Sequence, residues 1–448
     1  MRKRLSIATL IGVTGVIALV AAGCGGGGGG GGTTTGETTT NGGGGATALP
    51  ASSCPGGIYK GSENPQFIVA SDLPLQGSGR TQTEQMVNAI KFIFKQQNFK
   101  AGKYSVGYQS CDDSTAQAGK WDSGKCSTNG NAYARNTSVI GVIGTFNSGC
   151  AEIIIPILNR AANGPMGMVS PANTYVGLTH KGPAIAPGEP EKYYPTGKRN
   201  YIRIVAADDF QGAADAQLTK QLGYKSVFIL NDKEAYGLGV ARDYQNSAKA
   251  LHLKIAGFTA WDPKASSYEA LATRIKNTGA STVFLGGLIC ENGAKLIKDL
   301  RSVLGSKYPL IAPDGFSDFT ANGPAAAGMY VSVAGIPPEK LAGPGKSFVD
   351  DFGAQIGTQV NPYAAYAAQA AVVMLDAIEA SDGTRSSVTD QLFNTDVKNG
   401  ILGTFSINQD GDTTANPVTV YIQTGSGTSG TGKTYKTITP PQNLVKAA

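Results

Sequence analysis

Two kinds of apolar spacing alternate along most of this chain. Short β-branched runs predict strands at Phe67-Ile68-Val69-Ala70, Tyr104-Ser105-Val106-Gly107-Tyr108, Val139-Ile140-Gly141-Val142-Ile143 and Met166-Gly167-Met168-Val169. Between them, apolar residues recur every three or four positions. Met86, Val87, Ile90, Ile93 and Phe94 give one helix an apolar face, with Thr81 and Glu84 at capping-box spacing near its start. Ile153, Ile154, Ile157 and Leu158 give another after Cys150. Beyond a Pro/Gly-rich stretch from Gly182 to Gly197 the rhythm restarts. Strands at Tyr201 to Ile204, Val227 to Leu230, Leu253 to Ala256, Thr282 to Leu285 and Leu310 to Ala312 alternate with helices near Gln211 to Leu222, Leu238 to Ala250, Tyr268 to Lys276 and Asn292 to Leu304. A further helix, Ala364 to Ala380, precedes strand-like runs at Gly403 to Ile407 and Val418 to Ile422. This alternation predicts an α/β protein with mainly parallel sheets covered by helices. A body of roughly 400 residues exceeds a single core, so two lobes are expected, and the elements after Ala334 imply a chain that crosses between lobes more than once.

The two ends read differently. Arg2-Lys3-Arg4 precede an uncharged apolar run from Leu5 to Ala22, then Gly23-Cys24 and a glycine/threonine tract whose single charge is Glu37. That pattern is an export signal followed by a segment unable to bury a core. A membrane span is the alternative at this length, but Gly12, Gly15 and the small residues before Cys24 make it a weak one. Ala21-Ala22-Gly23-Cys24 resembles the bacterial lipobox, in which the cysteine thiol receives a diacylglycerol, although the family usually has Leu where Ala21 stands. The resemblance implies cleavage before Cys24 and a lipid tether on the outer face of the cytoplasmic membrane. At the other end, Thr424 to Gly432 is low-complexity, and residues 424–448 are expected to form a mobile tail.

Of the net charge of +6, three units leave with Arg2, Lys3 and Arg4, and no Lys/Arg stripe is interleaved with aromatics, which argues against a nucleic-acid partner. Apart from Cys24 the cysteines are Cys54, Cys111, Cys126, Cys150 and Cys290. Cys111 and Cys126 flank a loop rich in Gly, Ser and Asp and are the expected disulfide pair, with the odd count leaving a thiol over. With His180 and His252 as the only histidines and no close CxxC pair, neither a metal nor a cofactor is expected. Gly427, Gly432, Lys433 and Thr434 satisfy a phosphate-loop pattern, but the following Tyr435 to Pro441 resists the helix such a loop requires. No GxSxG elbow occurs, so a hydrolase has little support.

Polar, glycine-bearing segments follow the predicted strands at Leu75 to Arg80, Gly144 to Gly149, Ser170 to Thr174, Asn231 to Gly237, Gly286 to Glu291 and Ala312 to Gly315. Singly, each is an ordinary turn. Their recurrence in both halves points to one cleft outside the carboxyl ends of the strands. The order of Ser71-Asp72-Leu73-Pro74-Leu75-Gln76-Gly77, Cys111-Asp112-Asp113, Ile143-Gly144 with Ser148, Ser170-Pro171-Ala172, Arg203, Asn231-Asp232 with Tyr236-Gly237, Gly286-Gly287 with Glu291, and Pro313-Asp314-Gly315 resembles the type I periplasmic binding proteins, in their leucine/isoleucine/valine-binding branch.

The resemblance implies two Rossmann-like lobes joined by three crossovers, 65–200 with 335–402 and 201–334 with 403–423, after a signal peptide at 1–23 and a lipidated cysteine with its linker at 24–60. It implies a monomeric ABC-transporter receptor that hands an amino acid or related small solute to a membrane permease. A ligand sensor docking on a membrane signalling partner is the alternative. Ser148, Gly149, Ala172 and Thr174 would hold the ligand carboxylate, Tyr236 would enclose the ligand, and Glu291 would accept its α-ammonium. Ser78, Gly79, Phe146, Asn147, Asn173 and Asp314 complete the expected lining. Three departures leave the ligand open between branched-chain amino acids, other amino acids, amides and small aromatic acids. Gly149 stands where the family commonly has serine, Phe146-Asn147 alters the wall, and Ala116 to Arg135 looks like an insertion.

Overall fold

A computed structural model describes residues 45–425 and 431–448. Cys24, the signal segment and the glycine/threonine tract lie outside the described residues. In chain order come β1 (Phe67–Leu73), α1 (Arg80–Gln96), β2 (Lys100–Ala101), β3 (Tyr104–Asp112), β4 (Ser114–Thr115), β5 (Lys120–Trp121), α2 (Ser123–Arg135), β6 (Val139–Gly144), α3 (Ser148–Asn159), β7 (Gly167–Ser170) and β8 (Tyr201–Arg203). There follow α4 (Asp208–Gln221), β9 (Ser226–Asn231), α5 (Ala235–Ala250), β10 (Lys254–Ala260), α6 (Glu269–Asn277), β11 (Thr282–Gly286), α7 (Gly293–Leu304), β12 (Leu310–Ala312) and β13 (Tyr330–Ala334). The last elements are α8 (Pro344–Ile356), α9 (Pro362–Glu379), α10 (Arg385–Phe393), β14 (Asp396–Gly400), β15 (Gly403–Ser406), β16 (Val418–Thr424), β17 (Thr431–Ile438) and α11 (Gln442–Val445).

Two sheets organise these elements. The first has the order β2-β3-β1-β6-β7-β8, parallel except at β2, and the second β10-β9-β11-β12-β13-β16-β17, parallel as far as β13. Strand alternation sorts the cores. Val69 and Leu73 of β1 face Ile90 and Phe94 of α1 and the alanine-rich α9, whereas Ile68 and Ala70 face Tyr133 of α2 and Ile154 and Leu158 of α3. In the second sheet Val227 and Ile229 pack toward α4 and α5, and Phe228 and Leu230 toward α6 and α7. Helix α9 starts cleanly because Pro362 occupies its first turn and the Asn361 side chain accepts from the Ala364 N–H at 2.9 Å. The chain passes between sheets after β8, after β13 and before β16, which makes the three crossovers.

Several boundaries differ from the sequence reading. Tyr201–Arg203 was expected to open the second lobe but hydrogen-bonds to β7 in the first sheet, while Gly403–Ser406 pairs with β14 in a separate hairpin. The linker ends earlier than residue 60, because Leu49 and Cys54 are buried and Tyr59 bridges to Tyr108. Residues 431–448, expected in a mobile tail, form β17 on the edge of the second sheet and α11. Gly432, Lys433 and Thr434 therefore lie in a strand, which disposes of the phosphate-loop match on structural grounds. Helix α1 begins at Arg80 without a side-chain cap; Thr83 Oγ1 instead donates to Pro74 O at 2.5 Å. The supposed insertion is a β4–β5 hairpin leading into α2, an ordinary crossover helix that the glycines in its sequence concealed.

The disulfide expectation also fails. Cys111 bonds Cys54 and Cys126 bonds Cys150, leaving Cys290 as a thiol. Cys111 ends a buried strand against the incoming N-terminal segment, whereas Cys126 sits in α2, which packs on α3 carrying Cys150. Non-reducing peptide mapping should recover 54–111 and 126–150 linkages, and a 111–126 peptide would refute this pairing. With its cysteines 57 positions apart, the first bond should contribute about 4 kcal/mol on the loop-closure estimate, measurable as lost stability in a Cys54→Ser/Cys111→Ser double variant.

Candidate functional site

The loops after β1, β6 and β7 meet those after β9, β11 and β12 between the sheets, as the strand-end rule requires. On the first sheet's side, α3 begins at Ser148, so the earliest N–H groups of that helix lack partners within it and carry its positive dipole end. Ser148 Oγ accepts from the Tyr175 N–H at 3.4 Å. The adjoining loop is held from behind. Fully buried Arg203 donates to Asn173 O at 3.2 Å, to Tyr175 O at 2.8 Å and to Asp412 Oδ1 at 2.6 Å. Asp412 in turn lies 2.7 Å from His180 Nδ1, and His180 Nε2 lies 3.2 Å from Asp209. Burial disfavours the charged form of Asp412, but Arg203 and His180 hold its carboxyl well below the usual range. Against the same burial, Asp209 and Asp412 raise His180 to about 10.

On the second sheet's side, Asp314 faces this loop. Its carboxylate accepts from Tyr236 OH at 2.5 Å and from Tyr363 OH of α9, while Tyr236 OH also accepts from the Gly315 N–H at 2.9 Å. Burial pushes Asp314 up and the two tyrosine donors oppose it; both tyrosines are themselves raised by burial and by Asp314, so they stay protonated and donate. Asp208, at the start of α4 and fully buried, is pushed well above the usual carboxylate range by burial and then by the charge of Asp314. Asp232 ties the second-lobe loops together, accepting from the Glu234 and Leu288 N–H groups at 2.9 and 2.8 Å.

Phe146, Asn147, Ser148, Ala172, Thr174, Tyr236 and Asp314 line one cavity, and Ser78, Gly79, Phe146, Asn147 and Asp314 line a second that adjoins it. The space is small, about 20 and 30 Å³, so a ligand enters by parting the lobes.

A model describing the periplasmic binding protein family matches residues 69–428. The chain belongs to that family. Among its relatives, the Leu/Ile/Val-binding protein BraC3 of Rhizobium johnstonii is 32% identical over 190 residues, 42% of this chain and 46% of the relative. A leucine-, isoleucine-, valine-, threonine- and alanine-binding protein of Pseudomonas aeruginosa is 26% identical over 141 residues, 31% of this chain and 37% of the relative. The match thus spans less than half the length of these relatives. In structure, the leucine-binding protein LivK of Thermotoga maritima superimposes with a TM-score of 0.70 at 21% identity, over 84% of this chain and 99% of that one. An ABC-transporter solute-binding protein of Rhodopseudomonas palustris, solved with benzoate, gives 0.66 at 17%, over 84% and 96%. At these identities the structural likeness establishes the fold. These relatives are named as binding proteins, not enzymes.

For this periplasmic binding protein, four expected site residues are engaged otherwise than foreseen. Glu291 lines neither cavity, because its carboxylate meets Lys120 Nζ, which also lies 3.0 Å from Glu234 Oε1. Burial opposes the Lys120 charge, yet Glu291 and Glu234 raise its pKa, so the ion triad stays assembled across the cleft. The Asn173 amide is used internally, donating to Phe146 O at 3.0 Å and Thr145 Oγ1 at 3.2 Å. Gly149 lies beneath Trp121, whose ring a Cβ there would meet at 2.6 Å. The Ala172 N–H, expected for the ligand, already donates to Ser170 Oγ at 3.1 Å. Sequence reasoning missed Lys120, Trp121, Asp208 and Tyr363. The one available signal was the apparent insertion carrying the first two. Among the described residues Asp113, Cys126 and Cys150 cluster as metal ligands would, but the two sulfurs are bonded to each other.

Proposed function

We propose that this chain is the extracytoplasmic solute-binding receptor of an ABC transporter and closes its lobes on an amino acid. The observation that carries this reading is the pairing of opposite polarities within one cavity: the start of α3 with Ser148 and Thr174 at one wall, and Asp314 between two tyrosine hydroxyls at the other. A helix N-terminus favours a carboxylate. A buried carboxylate without a cationic partner favours an ammonium group. An α-amino acid supplies both at fixed spacing, with Asp314 rather than Glu291 receiving the ammonium. The relatives' names, which specify leucine, isoleucine and valine, favour the amino-acid class. A thermal-shift screen of the purified chain against amino acids, their amides and aromatic carboxylates tests it. Stabilisation by amino acids but not by the matching α-deaminated acids is expected, and stabilisation by the deaminated acids alone would overturn it.

The same reading places the protein in the cell envelope, anchored through a diacylglycerol on Cys24 and delivering its ligand to a permease. Two disulfides among the described residues suit an oxidising compartment. No helix among those residues is long and apolar enough to cross a membrane. Cys24→Ser should shift the protein from the membrane to the soluble fraction on cell fractionation; a variant still bound to the membrane would mean that the apolar segment is an uncleaved anchor.

A further inference from the structure

The second cavity, beside the one that would hold the amino-acid backbone, is where a ligand side chain would extend. Its lining is mixed: Gln76, Ser78, Gln82, Lys120, Trp121 and Asn147 stand beside Pro74, Phe146, Leu288 and Ile289. Two polar atoms of these residues, Trp121 Nε1 and Ser78 Oγ, are buried and have no hydrogen-bond partner among the described residues. Unpartnered buried donors are uncommon in folded proteins.

The fold holds Trp121 in place from three directions. Asp122, next in sequence, caps α2 by accepting from the Lys125 N–H at 2.9 Å, and its own N–H donates to Asp113 O at 2.8 Å. Gly149 supplies the missing Cβ that lets the indole lie against α3. The hairpin before it is seated on the β1–α1 loop, where any Cβ at Gly77 would stand 1.6 Å from Gly119 O. The indole of this lining residue is therefore fixed, with its N–H left unpaired.

We infer that this subsite selects an amino acid whose side chain carries a small neutral hydrogen-bonding group, an amide, over the branched aliphatic side chains. The inference rests on the amino-acid reading above. An amide carbonyl accepts from Trp121 Nε1 and an amide N–H donates to Ser78 Oγ, so both orphans are satisfied by one group. A branched alkyl side chain would leave both buried and unpaired. A carboxylate side chain is disfavoured because Lys120 is already matched by Glu234 and Glu291 and because Asp314 and Asp318 also line the cavity. An ammonium or guanidinium side chain offers Trp121 no acceptor.

Titration calorimetry of the full chain with glutamine, asparagine, leucine, isoleucine, glutamate and lysine tests this. One of the two amides should bind about tenfold or more tighter than leucine. Trp121→Phe, which keeps a ring against Gly149 but removes the N–H, and independently Ser78→Ala should each shrink that ratio at least several-fold. Leucine or isoleucine binding as tightly as the amides, or a ratio unmoved in both variants, would overturn the inference and leave the amino-acid reading standing. Failure of every amino acid to bind would overturn both.

Discussion

Asp314→Asn should weaken amino-acid binding by about a hundredfold, the cost typical of removing one partner from a buried, hydrogen-bonded charge pair. Asparagine keeps the volume and still accepts from one tyrosine, so the loss would come from the charge rather than from collapse of Tyr236 and Tyr363. The free protein should not be weakened in proportion. Burial already disfavours the ionised Asp314, whose pKa is raised despite its two hydroxyl donors, and the variant relieves that cost. Glu291→Gln is the matched control. Because Glu291 is satisfied by Lys120 outside the cavity, its neutralisation should alter affinity by only a few-fold. Calorimetry on the two variants with the ligand found in the amino-acid screen decides between them. A larger loss in Glu291→Gln would move the ammonium site to Glu291.

Arg203→Ala should be the most damaging single change to stability, about 3–5 kcal/mol, because it strands a buried partner. Asp412 would lose its guanidinium, and the carbonyls of Asn173 and Tyr175 would lose the donor that shapes the ligand loop. The pH dependence carries a second signature. Asp412 has a lowered folded pKa, so its contribution is present above its ordinary value near 3.8 and is lost as pH falls toward the lower folded value. His180 is raised to about 10, so its contribution is complete below 6.5 and is lost as pH rises toward 10. Together they are fully engaged between about pH 4 and 6.5. Without Arg203, Asp412 should titrate higher and the acid limb of the stability curve should begin at higher pH. Urea melts of the two proteins across pH 3 to 10 would show this, and superimposable acid limbs would mean that Arg203 does not hold Asp412 ionised.

The parts of the fold legible in the sequence were those with a strong period. Val139 to Ile143 and Val283 to Leu285 are apolar runs, and Met86 to Phe94 keeps one helical stripe, so the alternation of strands and helices was legible, while the length of the body pointed to two lobes. Helix α2 was illegible because Gly124, Gly130 and a run of Ser, Thr and Asn weaken its propensity; it forms because Asp122 caps it and α3 packs on it. Strand β17 was hidden in a Gly/Ser/Thr context and is ordered by pairing with β16. At the candidate site, the shared cavity lined by Ser148, Thr174, Tyr236 and Asp314 was legible because turns after strands converge. Tyr363 was not, since it comes from a helix 49 residues beyond Asp314, and Lys120 was not, since its two partners lie 114 and 171 residues away. The Cys111–Cys126 guess fell to the same cause: proximity in sequence stood in for proximity in space.

The last strand has a bearing on how copies of this protein share a surface. A sheet edge offers a row of N–H and C=O groups to any passing strand, and Val418–Thr424, five of its seven residues β-branched, would make an inviting edge. β17 covers it and becomes the new edge, with Lys433 exposed and Lys436 turned to Gln221 at 2.6 Å. Two lysines on the outer strand repel a third-party strand and resist desolvation. Copies of this protein at high local concentration then pass one another without zipping edge to edge.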